Sequence, residues 1–199
     1  MYYPGFQVGI RRNFTLPLGH AGVVYVAKDG STHYFEYGRY DGPQGIMRNA
    51  GPNNTSTPSL QRDASGNFTP ESMAALLSVL SNASGKHGDV DALVYKDSDT
   101  QESAMLSYLV NREGDNSNQN RPPYKITHHN CGTLICETLD AGGHSNLSAL
   151  QRFGATPGDI FYMLRALSNW QQQFSYTREQ VTVKLCWTDE KKKRHCSKQ

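Results

Sequence analysis

Two β-rich runs, Ala21-Gly-Val-Val-Tyr-Val-Ala27 and Thr32-His-Tyr-Phe-Glu-Tyr37, flank the four residues Lys28-Asp29-Gly30-Ser31. Branched and aromatic side chains suit a pleated, half-buried surface, and Asp-Gly between such runs is a strong hairpin signal. An antiparallel ribbon near the N-terminus rules out an all-helical chain. Its register stays open. Centring the turn on Asp29-Gly30 sets His20 opposite Arg39, so that His33, Phe35, Tyr37 and Arg39 share its face. A turn longer by one residue sets His20 opposite Gly38, with Glu36 as its diagonal neighbour on the same face.

Helical signals follow. Thr69-Pro70-Glu71 combines an N-cap with proline at the first helical position, and predicts a helix to about Asn82 with Met73, Leu76, Leu77 and Leu80 buried. A second helix is expected over roughly 100–112, burying Met105, Leu106, Tyr108 and Leu109, with a strand at Val90–Tyr95 before it. Residues 42–68 and 113–123, rich in Gly, Pro, Asn and Ser, are expected as long loops. Tyr124–Thr127 reads as a short strand, 148–153 as a helical turn, Ile160–Trp170 as a helix and Val181–Trp187 as a terminal strand. With no internal repeat and no linker, residues 1–199 are expected to form one α+β domain, an antiparallel sheet packed on helices, ending in a solvated basic tail at 189–199.

The stretch His129-Asn130-Cys131-Gly132-Thr133-Leu134 carries the chemistry. Leu134, Ile135, Thr138 and Leu139 recur near a 3.6-residue period and Gly142-Gly143 stop the helix, so Cys131 stands at its N-terminus. Unpaired N–H groups and the helix dipole there favour the thiolate. The other cysteines are 136, 186 and 196. They show no metal-ligand spacing, and no metal or cofactor is expected. Cys136 lies too close along the helix to bridge Cys131, whereas Cys186 and Cys196 could pair in an oxidising compartment.

A thiolate needs an imidazole partner, and the imidazole an orienting group. His128 and His129 are too near Cys131 along the chain, and their side chains should diverge from it. His87, His144 and His195 sit in polar segments where solvated histidine is the simpler reading. His20, after Leu18-Gly19 at the head of the hairpin, is the candidate base. Glu36 and His33 compete as the orienting residue, and a carboxylate has the more natural chemistry for holding an imidazolium. The alternative is a strand-capping histidine and an unrelated buried thiol.

Gly19-His20-Ala-Gly-Val-Val-Tyr-Val, and much later His129-Asn130-Cys131-Gly132-Thr133-Leu134, resemble circularly permuted papain-fold cysteine enzymes, in which a histidine-bearing hairpin precedes the Asn-Cys helix. That group includes NlpC-type peptidoglycan peptidases, the lecithin–retinol acyltransferase group and the PPPDE isopeptidases. Phe35-Glu36-Tyr37-Gly38-Arg39-Tyr40-Asp41 resembles the class's bacterial effector domains, delivered by type VI secretion against the cell wall of rivals. The resemblance spans about 40 residues, the hairpin and the cysteine helix. It implies a permuted papain-like fold with Cys131 as nucleophile, His20 as general base and Glu36 as third residue, where cell-wall peptidases commonly carry histidine. Asn130, Gly132, Tyr37 and Arg39 become candidates for substrate binding or the oxyanion hole.

The implied function is a cysteine amidase or endopeptidase that cleaves peptidoglycan peptide bonds as an antibacterial toxin. An isopeptidase, an acyltransferase or thioesterase, and a non-enzymatic binding module are the alternatives. The implied partners are peptidoglycan, a cognate immunity protein and a component of the secretion apparatus. A net charge of +2 gives no strong attraction to nucleic acid. There is no apolar run of ~18 residues, so no transmembrane segment is expected. The opening residues lack the charged-then-apolar pattern of a secretory signal, which leads to the expectation of synthesis in the cytoplasm and delivery to a target periplasm by another route.

Overall fold

The computed structural model describes residues 2–3, 8–11, 14–16, 19–40, 43–49, 56–83, 88–144, 147, 156–167, 170–177, 180–188 and 194–198. The helical turn expected at 148–153, His87 and most of the tail's lysine run lie outside these. In chain order the elements are β1 (Tyr2–Tyr3), β2 (Val8–Arg11), β3 (Phe14–Leu16), β4 (His20–Val26), β5 (Thr32–Gly38), β6 (Ile46–Arg48), α1 (Pro70–Ala83), β7 (Val90–Val94), α2 (Asp99–Gly114), α3 (Cys131–Ala141), α4 (Pro157–Leu167), β8 (Gln172–Thr177), β9 (Gln180–Thr188) and β10 (Arg194–Lys198). Eight strands form one antiparallel sheet in the order β10-β9-β8-β7-β1-β4-β5-β6, and β2 and β3 make a separate ribbon.

The hairpin takes the second of the two registers. Val23 pairs with Phe35 and Gly22 with Glu36. The loop is three residues long because Gly30 adopts φ +86° and donates to the Ala27 carbonyl at 2.9 Å, while Asp29 Oδ1 accepts from the Ser31 N–H. A left-handed glycine closing a three-residue loop is the usual way to add one residue to a hairpin. The loop is also docked from outside: Leu60 N–H donates to the Gly30 carbonyl at 2.8 Å.

Alternation sorts the core into two layers. Tyr34, Val90, Ala92, Phe174 and Val183 face α1, whose Met73, Leu76, Leu77 and Leu80 are buried against them. On the opposite face, Phe35 and Tyr37 meet Leu134 of α3 and Leu109 of α2, and α4 packs beside α3 through Ile160 and Leu164. Helices on both faces leave the sheet covered on each side.

Several expectations are corrected. Helix α2 begins at Asp99 behind a Ser98/Gln101 capping box and buries Leu109, while Met105, Leu106 and Tyr108 stay half-buried because the helix lies at the margin of the layer. Tyr124–Thr127 is a turn, not a strand: Lys125 bridges His129, and Asn130 Nδ2 donates to the Ile126 carbonyl at 2.5 Å. The 42–68 region contains β6 and a bridge between Arg62 and Phe68. The expected loop at 113–123 holds the end of α2 and a 3-10 turn at Asp115–Ser117. The terminal strand is β10, formed within the basic tail and tied to β9 by a Cys186–Cys196 disulfide.

Candidate active site

Gly19, at φ +74°, turns the chain into β4, and His20 is that strand's first residue. In the observed register Glu36 is its diagonal neighbour on β5. The imidazole Nε2 and Glu36 Oε2 are 3.1 Å apart, with His20 7% and Glu36 2% exposed. The same carboxylate oxygen accepts from the Tyr34 hydroxyl at 3.0 Å. Tyr34 reaches it by lying across Gly22, where a Cβ would come within 2.6 Å of the ring. Gly22 is therefore glycine to admit a tyrosine. His33 falls on the opposite face, exposed beside Tyr25, and is not the partner of His20.

Cys131 arrives from the other side as the first residue of α3. Asn130, fully buried, is the N-cap: its Oδ1 accepts from the N–H groups of Gly132 at 2.8 Å and Thr133 at 3.1 Å, and Thr133 Oγ1 accepts from the Asn130 N–H at 3.2 Å. Such a cap is worth about 1 kcal/mol and fixes where the helix begins, hence where the sulfur points.

The groups that act on the Cys131 thiol are the His20 side chain and the Ala21 N–H, one residue before the β4–β5 ladder begins. The Tyr124 hydroxyl lies 3.9 Å from Sγ. Burial alone would hold the thiol neutral, but the charge and hydrogen bond of His20, with the Ala21 and Tyr124 donors, bring its pKa below the ordinary thiol value. Burial would equally depress His20, yet the Cys131 thiolate, and after it Glu36, raise its pKa from 6.5 to about 10. The two shifts, thiol down and imidazole up, both favour the thiolate–imidazolium form over the neutral pair.

Tyr40 closes this cluster from the β6 side. Burial first, then the Glu36 charge, pushes its hydroxyl well above the usual range, and the hydroxyl makes no hydrogen bond of good geometry. Its ring rests on Gly38 and carries the Arg48 guanidinium at 3.5 Å from the centroid. Tyr34, Tyr40 and Tyr124 were not singled out from sequence. Tyr34 alone had a legible signal, since it lies two residues from Glu36 on the same face.

The secondary candidates take other roles. The Gly132 N–H is taken by the cap, and a Cβ there would meet Ile160 Cδ1 at 2.7 Å and Pro157 Cα at 3.1 Å, so this glycine lets α4 approach α3. Asn130 positions the helix and is too deeply buried to meet substrate. Tyr37 is buried on the opposite sheet face against Tyr124 and His129, with its ring over Gly45. Arg39 is exposed just past the end of β5, outside the buried cluster. His144, expected as a solvated histidine, instead meets Asp97 through Nε2–Oδ1 at 2.9 Å, and His195 is half-buried on β10.

A family model described as type VI secretion system effector TseH-like matches residues 3–146, which includes His20, Glu36 and Cys131. The chain belongs to this effector family. A crystal structure of the type VI secretion system effector TseH superposes with a TM-score of 0.74, covering 92% of this chain and 93% of that one at 23% identity. That likeness is one of fold. No curated protein matches the sequence. Among the described residues no helix is long and apolar enough to cross a membrane.

Proposed function

We propose that this effector is a cysteine hydrolase, an amidase or endopeptidase built on a papain-like Cys-His-Glu arrangement, that cleaves peptide bonds of peptidoglycan in a rival's envelope. The observation that carries it is the buried cluster in which His20 acts on the Cys131 thiol at a helix N-terminus while the Glu36 carboxylate stands 3.1 Å from His20 Nε2. A structural thiol gains nothing from such partners, whereas a nucleophile requires them.

In the proposed reaction the Cys131 thiolate attacks the scissile carbonyl carbon, forming a C–S bond while the carbonyl π electrons move onto oxygen. The cap leaves the Cys131 N–H as the backbone donor beside that oxyanion, and one such donor is worth about 3 kcal/mol. The His20 imidazolium gives its proton to the departing amine as the C–N bond breaks. Neutral His20 then takes a proton from water, whose oxygen attacks the thioester; collapse releases the carboxylic acid and restores the thiolate. Glu36 holds the ring and stabilises its charge throughout. Cys131 is 1% exposed, so a peptide carbonyl reaches it after the groups around the sulfur give way. Membership of an effector family supports delivery by the secretion apparatus and a cognate immunity protein that guards the producer.

Purified sacculi, and separately ubiquitin conjugates, incubated with wild type, Cys131→Ala and His20→Ala protein provide the test. New muropeptide fragments by mass spectrometry with wild type, and none with either variant, are expected. Killing from the periplasm by Cys131→Ala at wild-type level eliminates the hydrolase, and cleavage of the conjugates alone reassigns the substrate.

A further inference from the structure

The C-terminal part of the chain differs from the rest in charge. Residues 184–199 hold six basic residues against two acidic ones, a balance of +4, whereas the other 183 residues, with 14 against 16, come to −2. Strand β10 is the outer strand of the eight-stranded sheet, and its sequence Arg-His-Cys-Ser-Lys contains no large aliphatic side chain. Hydrophobic burial therefore does not account for its order. The ladder to β9 and the Cys186–Cys196 bridge hold it in place.

Alternation fixes which face the cationic positions take. Val181, Val183 and Leu185 of β9 pack toward α1, so positions 182, 184 and 186 belong to the other face, where Thr182 is exposed. The register extends that face to β10: Lys198 stands directly opposite Lys184, Cys196 opposite Cys186 and Arg194 opposite Thr188. Arg194 and Lys198 flank the exposed Cys196 at two-residue steps of about 7 Å. Like charges placed directly opposite one another destabilise a ladder, so the Lys184/Lys198 pair weakens the hairpin that carries it. An anion between them reverses the sign of that contribution. Charge on an edge strand also deters pairing with other chains, but that needs neither a like-charged partner on β9 nor a bridge. One carboxylate of the same face, Asp91, stands two strands in from β9 and accepts from Ser175 Oγ at 2.5 Å.

We infer that the β9–β10 hairpin is a disulfide-clamped cationic anchor that binds the carboxylates of peptidoglycan, whose stem peptides repeat along the polymer. The inference takes its ligand from the function proposed above and makes no use of the Cys131 chemistry. A solvated basic tail loses backbone freedom on binding. A strand already fixed by a ladder and a bridge has lost it in advance, which leaves more of the electrostatic gain as affinity. β10 and β4 are five strand spacings apart, roughly 24 Å, so the anchor engages a different stem from the one at His20 and Cys131. It keeps the protein on an insoluble polymer between successive cuts.

Co-sedimentation with purified sacculi tests this on the intact Cys131→Ala chain, which lacks the proposed nucleophile. One variant of it adds Lys184→Gln, Arg194→Gln and Lys198→Gln. A control adds Lys28→Gln, Lys96→Gln and Lys125→Gln, an equal loss of charge at exposed positions elsewhere. The half-saturating concentration is expected to rise about tenfold or more in the hairpin variant, and less than about threefold in the control. The same tenfold rise is expected for the unaltered hairpin on sacculi whose carboxyl groups have been amidated, and a rise of about threefold or more after reduction of the bridge. These last two measurements decide the matter even if the hairpin variant does not fold. Equal weakening in the two triple variants overturns the anchor in favour of diffuse net charge. Undiminished binding to amidated sacculi, equal binding after reduction, or no binding at all also overturns it. Sacculi that wild-type protein binds in the expected pattern but leaves uncut remove the hydrolase and keep the anchor.

Discussion

Replacing Glu36 by Gln removes a charge while keeping the shape and an acceptor for Tyr34. In the wild type the imidazolium Nε2 donates to a buried carboxylate at 3.1 Å. A hydrogen bond to a charged group contributes about 1.5–3 kcal/mol and one to a neutral group about 1, so the substitution weakens the ion pair by about 1–2 kcal/mol. Because 1.36 kcal/mol corresponds to one pKa unit, the apparent thiol pKa should rise by about one unit and hydrolysis at neutral pH fall roughly 5–30-fold. The signs follow from the two shifts. The Cys131 pKa is lowered, so the thiolate is lost only as pH falls through that lowered value, and in Glu36→Gln it is lost at higher pH. The His20 pKa is raised to about 10, so the general acid is lost as pH climbs through that value, while thiolate alkylation continues. Iodoacetamide rates from pH 4 to 10, read by mass spectrometry at Cys131, give the first inflection directly. A Glu36→Gln profile superimposable on wild type would refute the electrostatic account of the pair, whatever happened to turnover.

Two further expectations concern stability. Gly132→Ala brings a methyl group to 2.7 Å from Ile160 Cδ1, and overpacking of about 1–3 kcal/mol should outweigh the roughly 1 kcal/mol that alanine gains in a helix, so the urea midpoint falls; an unchanged or raised midpoint would mean α4 is not held against the helix start. Reducing the Cys186–Cys196 bridge, which spans a sequence separation of 10, should cost about 2.5–3 kcal/mol and lower the Tm by roughly 5–10 °C, with Cys131 alkylation unaffected because β9 and β10 lie at the opposite end of the sheet from β4 and β5; no change in Tm would show the hairpin stable without the bridge.

Elements with strong local periodicity were legible: the hairpin, helix α1 with its four buried apolar residues, the strand at β7 and the cysteine helix. What sequence could not resolve was decided at a distance. β8 opens with Gln172, whose polarity hides a strand until its amide is seen bonding both the N–H and the carbonyl of Phe68. β10 is a run of charged and polar residues that becomes a strand by pairing with β9. β1 has two residues, too few for any period. At the site, the meeting of His20, Glu36 and Cys131 depended on a register that one glycine conformation, Gly30, selects. The residues that complete it are tyrosines, and in a chain with eleven of them no spacing distinguishes Tyr34, Tyr40 and Tyr124 from the others.

Tyr34 over Gly22, Tyr40 over Gly38 and Tyr37 over Gly45 are three instances of one arrangement, a phenol laid flat on bare backbone, where an added Cβ would stand only 2.6, 2.6 and 2.0 Å from the ring. Each couple behaves in inheritance as one character. Gaining any side chain at the glycine evicts the ring, and shrinking the ring strips the glycine of its cover, so descendants of this sequence should lose or retain both members together.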